Sequence, residues 1–141
     1  MSILKSFDRS PARIFAPGSL LITEGGKPGI LYVLESCEVE VVRHGIVVAT
    51  IAEPGAIIGE MSVLLDSPHS ASVRAKGTVM AHVVENAAEA LRKRPELTYK
   101  VAQILARRLG ATTAFLVDSR EKLENNADLE FVEKVYELLG K

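Results

Sequence analysis

The feature that most constrains this chain is a change of period near Asn86. Before that point, short apolar runs alternate with turn residues. After it, apolar residues recur at helical spacing and Gly and Pro almost disappear. The first part predicts strands at Ser19–Thr23, Ile30–Leu34, Glu38–Arg43, Ile46–Ile51, Ala71–Ala75 and Val79–Val84. Between them stand Pro17-Gly18, Gly25-Gly26-Lys27-Pro28-Gly29, His44-Gly45, Pro54-Gly55 and Lys76-Gly77, where a glycine reaches positive φ without a Cβ penalty. Glu38-Val39-Glu40-Val41 alternates polar and apolar, as a strand with one wet face does. Short strands joined by Gly-rich turns imply a sandwich or barrel-like roll, so the fold expected is mainly β with helices following.

The second part predicts a short helix over Asn86–Arg94 and a longer one that Pro95 opens, where its missing N–H costs nothing. Leu97, Val101, Ile104, Leu105, Leu109, Thr112, Leu116 and Leu123 keep helical spacing along it. Asn125-Asn126-Ala127-Asp128 supplies a break and a cap. A last helix carries Phe131, Val132, Val135, Leu138 and Leu139 on one stripe, with Gly140 to end it. The expected division is a domain over 1–124, with a β-roll at about 12–85 and helices over 86–124, then a C-terminal helix over 125–141. The apolar stripe of that helix is offered to a second copy or to a protein partner, or else docks on its own domain.

Composition narrows the function. A chain of 141 residues suits one core, and 48% hydrophobic with 25% charged residues is ordinary for a globular protein. A net charge of −1 does not favour nucleic acid as a partner. Cys37 is the single cysteine, so no intrachain disulfide forms and a reducing, cytoplasmic setting fits. No segment approaches the roughly 20 apolar residues of a membrane helix, so no membrane insertion is expected. His44, His69 and His82 are scattered without metal-ligand spacing, and no nucleophile elbow or Walker loop appears. No catalytic residue, metal or cofactor is therefore expected, and the chain reads as a non-enzyme.

The informative stretch runs from Pro54 to Ala75, PGAIIGEMSVLLDSPHSASVRA. It reads as strand, Gly, one or two helical turns, a short loop, and strand. A helix starting after Gly59 aims its first N–H groups, with the positive end of its dipole, at one point. The Ser70-Ala71 backbone, entering the next strand, can add donors from the other side. A phosphate between these two sets fits, and Glu60 would accept from hydroxyls beside it. Taken alone, Glu60 reads as a helix-start carboxylate rather than a ligand contact and His69 as a solvated loop residue, while Ser70 and Ser72 can satisfy local backbone groups.

This segment resembles the phosphate-binding cassette of the cyclic nucleotide-binding domain family, whose usual form is Gly-Glu, a short apolar helix, then Pro-Arg-Ala-Ala-Thr or Arg-Ser. The similarity extends to Glu24–Gly29 before Leu31-Tyr32-Val33-Leu34, and to Arg94-Pro95-Glu96-Leu97 followed by Ala106-Arg107-Arg108-Leu109. It covers roughly Phe15 to Leu123. The resemblance implies a β-roll followed by helices that sense cAMP or cGMP, as in the catabolite activator and the protein kinase A regulatory subunit type. It implies that Glu60 accepts the ribose 2′-hydroxyl and that Gly59 lets the backbone approach the sugar. Ser70 stands beside the phosphate arginine's place, and Met61, Ala71 and Ser72 belong to the same cassette. Thr112 and Thr113 fall where the catabolite activator's long helix presents Thr-Ser to adenine; without the resemblance they are surface residues.

Two positions depart from the family pattern. His69 stands where the cassette arginine is expected, and an arginine brings a permanent charge and a donor fork that histidine lacks. Cys37 stands where a Gly is common, which changes only a turn. Arg74 could compensate for His69, because Ser70, Ser72 and Arg74 face one way in a strand. The functions left open are a ligand-gated regulatory module and a scaffold with a degenerate pocket. The chain reaches Lys141 soon after the helices, leaving no room for a helix-turn-helix domain, so the output is expected to pass to a partner or a second copy.

Overall fold

The computed structural model describes residues 10–123 and 129–140, with the side chains of 129–132 left aside. Among the described residues, eight strands form two four-stranded antiparallel sheets. They are β1 (Ala12–Phe15), β2 (Leu20–Ile22), β3 (Leu31–Ser36), β4 (Val39–Arg43), β5 (Ile46–Ile51), β6 (Ile57–Ile58), β7 (Ser72–Ala75) and β8 (Val79–Val84). One sheet has the order β1-β8-β3-β6 and the other β2-β7-β4-β5. The helices are α1 (Glu60–Leu65), between β6 and β7, then α2 (Ala87–Lys93), α3 (Pro95–Leu123) and α4 (Leu129–Leu139). This is the expected mainly β roll followed by helices.

The strand alternation builds the core between the sheets. Val79, Ala81 and Val83 of β8 and Val73 and Ala75 of β7 point inward, meeting Leu21, Ile22, Tyr32, Leu34, Val39 and Ile58. Phe15 packs edge-on against Tyr32 at 5.9 Å between ring centroids. β3 is buried on both faces. Tyr32 and Leu34 join the inter-sheet core, while Leu31 and Val33 are fully buried on the other side, where Ile57 pairs with Val33. Ala87, Leu91 and Leu97 are likewise buried at the start of the helical part.

Local chemistry sets the turns. Arg43 pairs with Ile46, leaving His44-Gly45 as a two-residue hairpin with φ of 53° and 78°. Positive φ at both central positions matches the strand twist. Cys37 sits at φ 69°, the backbone form a glycine adopts most easily, and its Sγ would lie 2.7 Å from a Cβ on Gly77. That accounts for its turn.

The chain divides into two compact units after Thr98. In the second, Arg120 reaches Glu133 at 3.5 Å and stands 5.5 Å from the Tyr136 ring centroid. Gly140 N–H closes α4 on the Tyr136 carbonyl at 2.9 Å, the stop expected of that glycine. Of the α4 stripe, Val135 is half-buried and Leu138 and Leu139 are exposed. Phe131, Val132 and the cap at Asn125–Asp128 fall outside the described side chains and residues.

Candidate site around Gly59 and His69

β6 delivers two buried isoleucines to Gly59, where the chain turns at φ 93° and ψ 3° into α1. Only glycine fits there on two counts. The conformation is left-handed, and a Cβ would lie 2.9 Å from the Ile30 carbonyl oxygen and 3.2 Å from Ile22 Cδ1. The helix ladder begins with Val63 N–H donating to the Gly59 carbonyl at 3.2 Å, so the amides before it stand at the helix's positive end. α1 ends at Asp66, whose φ of 49° is a left-handed cap that short polar side chains tolerate. Glu60 and Ser62 are buried, whereas Met61, Leu64 and Leu65 are exposed.

His69 follows the loop after α1 and is held by the Gly-rich turn before β3. Gly25 N–H donates to the His69 carbonyl at 2.8 Å, and His69 N–H donates to the Gly26 carbonyl at 3.0 Å. The imidazole lies between two glycines: Cδ2 is 3.7 Å from the place of a Cβ on Gly26, and Cε1 is 3.9 Å from that on Gly59. Gly26 is itself constrained, since its Cβ would lie 2.8 Å from the Thr23 carbonyl oxygen. Burial holds the His69 imidazole below the usual histidine range, and a hydrogen bond to the Lys27 backbone partly offsets this.

The other sequence candidates distribute unevenly. Ser70 is exposed and Ala71 half-buried at the entry to β7. Ser72 Oγ accepts the Glu24 N–H at 2.9 Å, and the Glu24 carboxylate accepts the His44 N–H at 3.0 Å, pinning the β4–β5 hairpin to the Gly-rich turn. Arg74 lies opposite Glu40 in the β4–β7 pair, its guanidinium 3.5 Å from the carboxylate. Because Val73 and Ala75 face the core, Arg74 is on the opposite face of the sheet. Thr112 and Thr113 are exposed on α3. Thus Gly59 and His69 are brought together, while Arg74 is engaged with Glu40.

Gly25, Gly26 and Lys27 read in the sequence only as a turn, and their grip on His69 has no signal there. Spacing between glycines identifies a turn but not the strand entry it will clasp. Among the described residues, no group of three or more His, Cys, Asp or Glu is placed to hold a metal. No helix among them is long and apolar enough to cross a membrane.

A family model described as the cyclic nucleotide-binding domain matches residues 12–93, more than half of the chain. The chain belongs to the cyclic nucleotide-binding domain family, a family of regulatory domains. It is similar to the cAMP-dependent protein kinase regulatory subunit of Yarrowia lipolytica (strain CLIB 122 / E 150), at 39% identity over 74 residues, 51% of this chain and 20% of that protein. It is also similar to the catabolite activator protein of Thermus thermophilus, at 26% identity and a TM-score of 0.67, covering 86% of this chain and 60% of that one. The N-terminal domain of a transcriptional regulator from Streptomyces coelicolor A3(2) aligns at 26% identity and a TM-score of 0.57, covering 78% of this chain and 81% of that one. The chain therefore spans about a fifth of the length of its curated relative.

Proposed function

We propose that this domain is a non-catalytic regulatory module that receives a cyclic nucleotide, cAMP or cGMP, at the segment from Gly59 to Ser72. The observation that supports this reading is the nearness of the His69 imidazole to Gly59, its Cε1 3.9 Å from where a Cβ on Gly59 would stand, with the helix start and the entry of the next strand on either side of that approach. In this reading Glu60 accepts from the ribose hydroxyl. The amides at the start of α1, with Met61 among them, and those of Ser70 and Ala71 hold the phosphate, and His69 stands beside it.

The route from site to helices has physical support. The Gly-rich turn that grips His69 also holds α2, through Ala87 N–H donating to the Gly29 carbonyl at 3.0 Å. A cavity of about 190 Å³, lined by Val63, Leu64, Ala88, Leu91, Arg92 and Thr98, lies along α1 and α2 and gives room for one to shift against the other. A ligand that draws α1 inward would bias such a two-position arrangement by its differential affinity.

Calorimetric titration with cAMP and cGMP tests this, alongside a Glu60→Ala variant. Saturable binding is expected, with Glu60→Ala weaker by roughly 10–100-fold, the value of a charge-assisted hydrogen bond. A second reading, a scaffold that binds no nucleotide, is favoured by histidine standing where an arginine fork is expected. Neither heat nor a thermal shift with either nucleotide would select it.

A further inference from the structure

This inference rests on the reading above, in which the segment from Gly59 to Ser72 receives an anion. The His69 ring is half-buried against Gly26 and Gly59, and its backbone is fixed by two hydrogen bonds to the Gly-rich turn. The Lys27 backbone nearby favours the protonated ring and partly offsets the effect of burial. A neutral imidazole has a single N–H. Its other nitrogen carries a lone pair, which repels an anionic oxygen. An imidazolium presents a second N–H and a positive charge at the same place.

We propose that an anionic ligand enters this site together with a proton, taken up by His69, so that occupancy depends on ligand and acidity jointly. The charged groups on the segments packed against the ring are Glu24 and Lys27 in the Gly-rich turn, Glu60 and Asp66 at the two ends of α1, and Arg74 on β7. Glu24 is occupied by His44 and Arg74 by Glu40. Burial favours the neutral ring in the empty site, and an arriving anion favours the charged one. The linkage has a fixed sign. Affinity is greatest in mild acid and falls by up to about tenfold per pH unit as pH rises above the titration of the empty site.

The test is calorimetry with cAMP and cGMP at about pH 5.5, 6.5 and 7.5, each repeated in buffers of different ionisation enthalpy to count protons. It uses wild type, His69→Arg and His69→Gln, with circular dichroism confirming that each is folded. Wild type is expected to tighten by roughly 10–30-fold from the highest to the lowest pH, taking up close to one proton. Both variants are expected to bind independently of pH, His69→Arg more tightly. Binding by wild type without pH dependence or proton uptake overturns the linkage and leaves the cassette reading standing. The linkage is overturned in the same way if His69→Arg binds and wild type binds at no pH. If neither binds at any pH, the cassette reading itself falls, and the linkage with it.

Discussion

Gly26 and His69 grip each other closely: His69 N–H donates to the Gly26 carbonyl at 3.0 Å, and the imidazole Cδ2 rests 3.7 Å from where a Cβ on Gly26 would stand. Cε1 of the same ring rests 3.9 Å from where a Cβ on Gly59 would stand. The candidate site is therefore a histidine seated beside two glycines, one in the turn before β3 and one at the start of α1.

Glycine at these places should be hard to replace. Gly59→Ala combines a left-handed backbone with a 2.9 Å approach to the Ile30 carbonyl, whereas Gly18, at φ 85°, has nothing within 4 Å of its Cβ position. Gly18→Ala should cost about 1–2 kcal/mol, the left-handed strain alone. Gly59→Ala should cost about 1–3 kcal/mol more, from displaced backbone. Urea denaturation of the two variants measures the difference. Equal losses would mean that the backbone around Ile30 yields freely.

Arg74 offers a test of position. It pairs with Glu40 across β4 and β7, with side-chain exposures of 41% and 19%. Partly exposed pairs are worth about 0–1 kcal/mol. Arg74→Ala should lower stability by no more than that and leave cyclic nucleotide affinity within about threefold. A loss of affinity above tenfold, measured by calorimetry, would show that Arg74 leaves Glu40 for the ligand.

Acid should weaken the empty domain through His69. Its folded-state value is lowered from 6.5 by burial. The unfolded chain then binds more protons than the folded one in the window just below 6.5, so stability rises with pH through that window and is lost as pH falls. His44 and His82 face glutamates at 3.7 Å and 3.1 Å, so the measurement is the difference between wild type and His69→Gln. Without ligand, urea midpoints at about pH 5.5 and 7.5 should diverge more in wild type than in the variant. Identical pH dependence would remove His69 as the source.

Much of the roll is legible in the sequence because its signals are local. Turns at His44-Gly45 and around Gly25–Gly29, and strands whose apolar residues alternate, such as β7 and β8, depend on neighbours in sequence. β1 is not legible. Ala12, Arg13 and Ile14 are exposed, so no burial pattern marks them, and they are extended because β8 presents a free edge from Val79 to His82. The helix start at Gly59-Glu60 is readable from one glycine before a short apolar run. The partners of His69 and Arg74 are not, since each comes from a strand or turn far away along the chain.

The sequence by itself determined the strands after β1, the helices, the turns, the Gly-Glu helix start and the presence of histidine where an arginine is expected, because these are properties of adjacent residues. Tertiary structure alone decided that the His69 ring lies against Gly26 and Gly59, and that Arg74 is held by Glu40 on the outer face. Those relations follow from which strands pair and which face is buried, and pairing across the sheets is set by the packing of the whole core rather than by any local pattern.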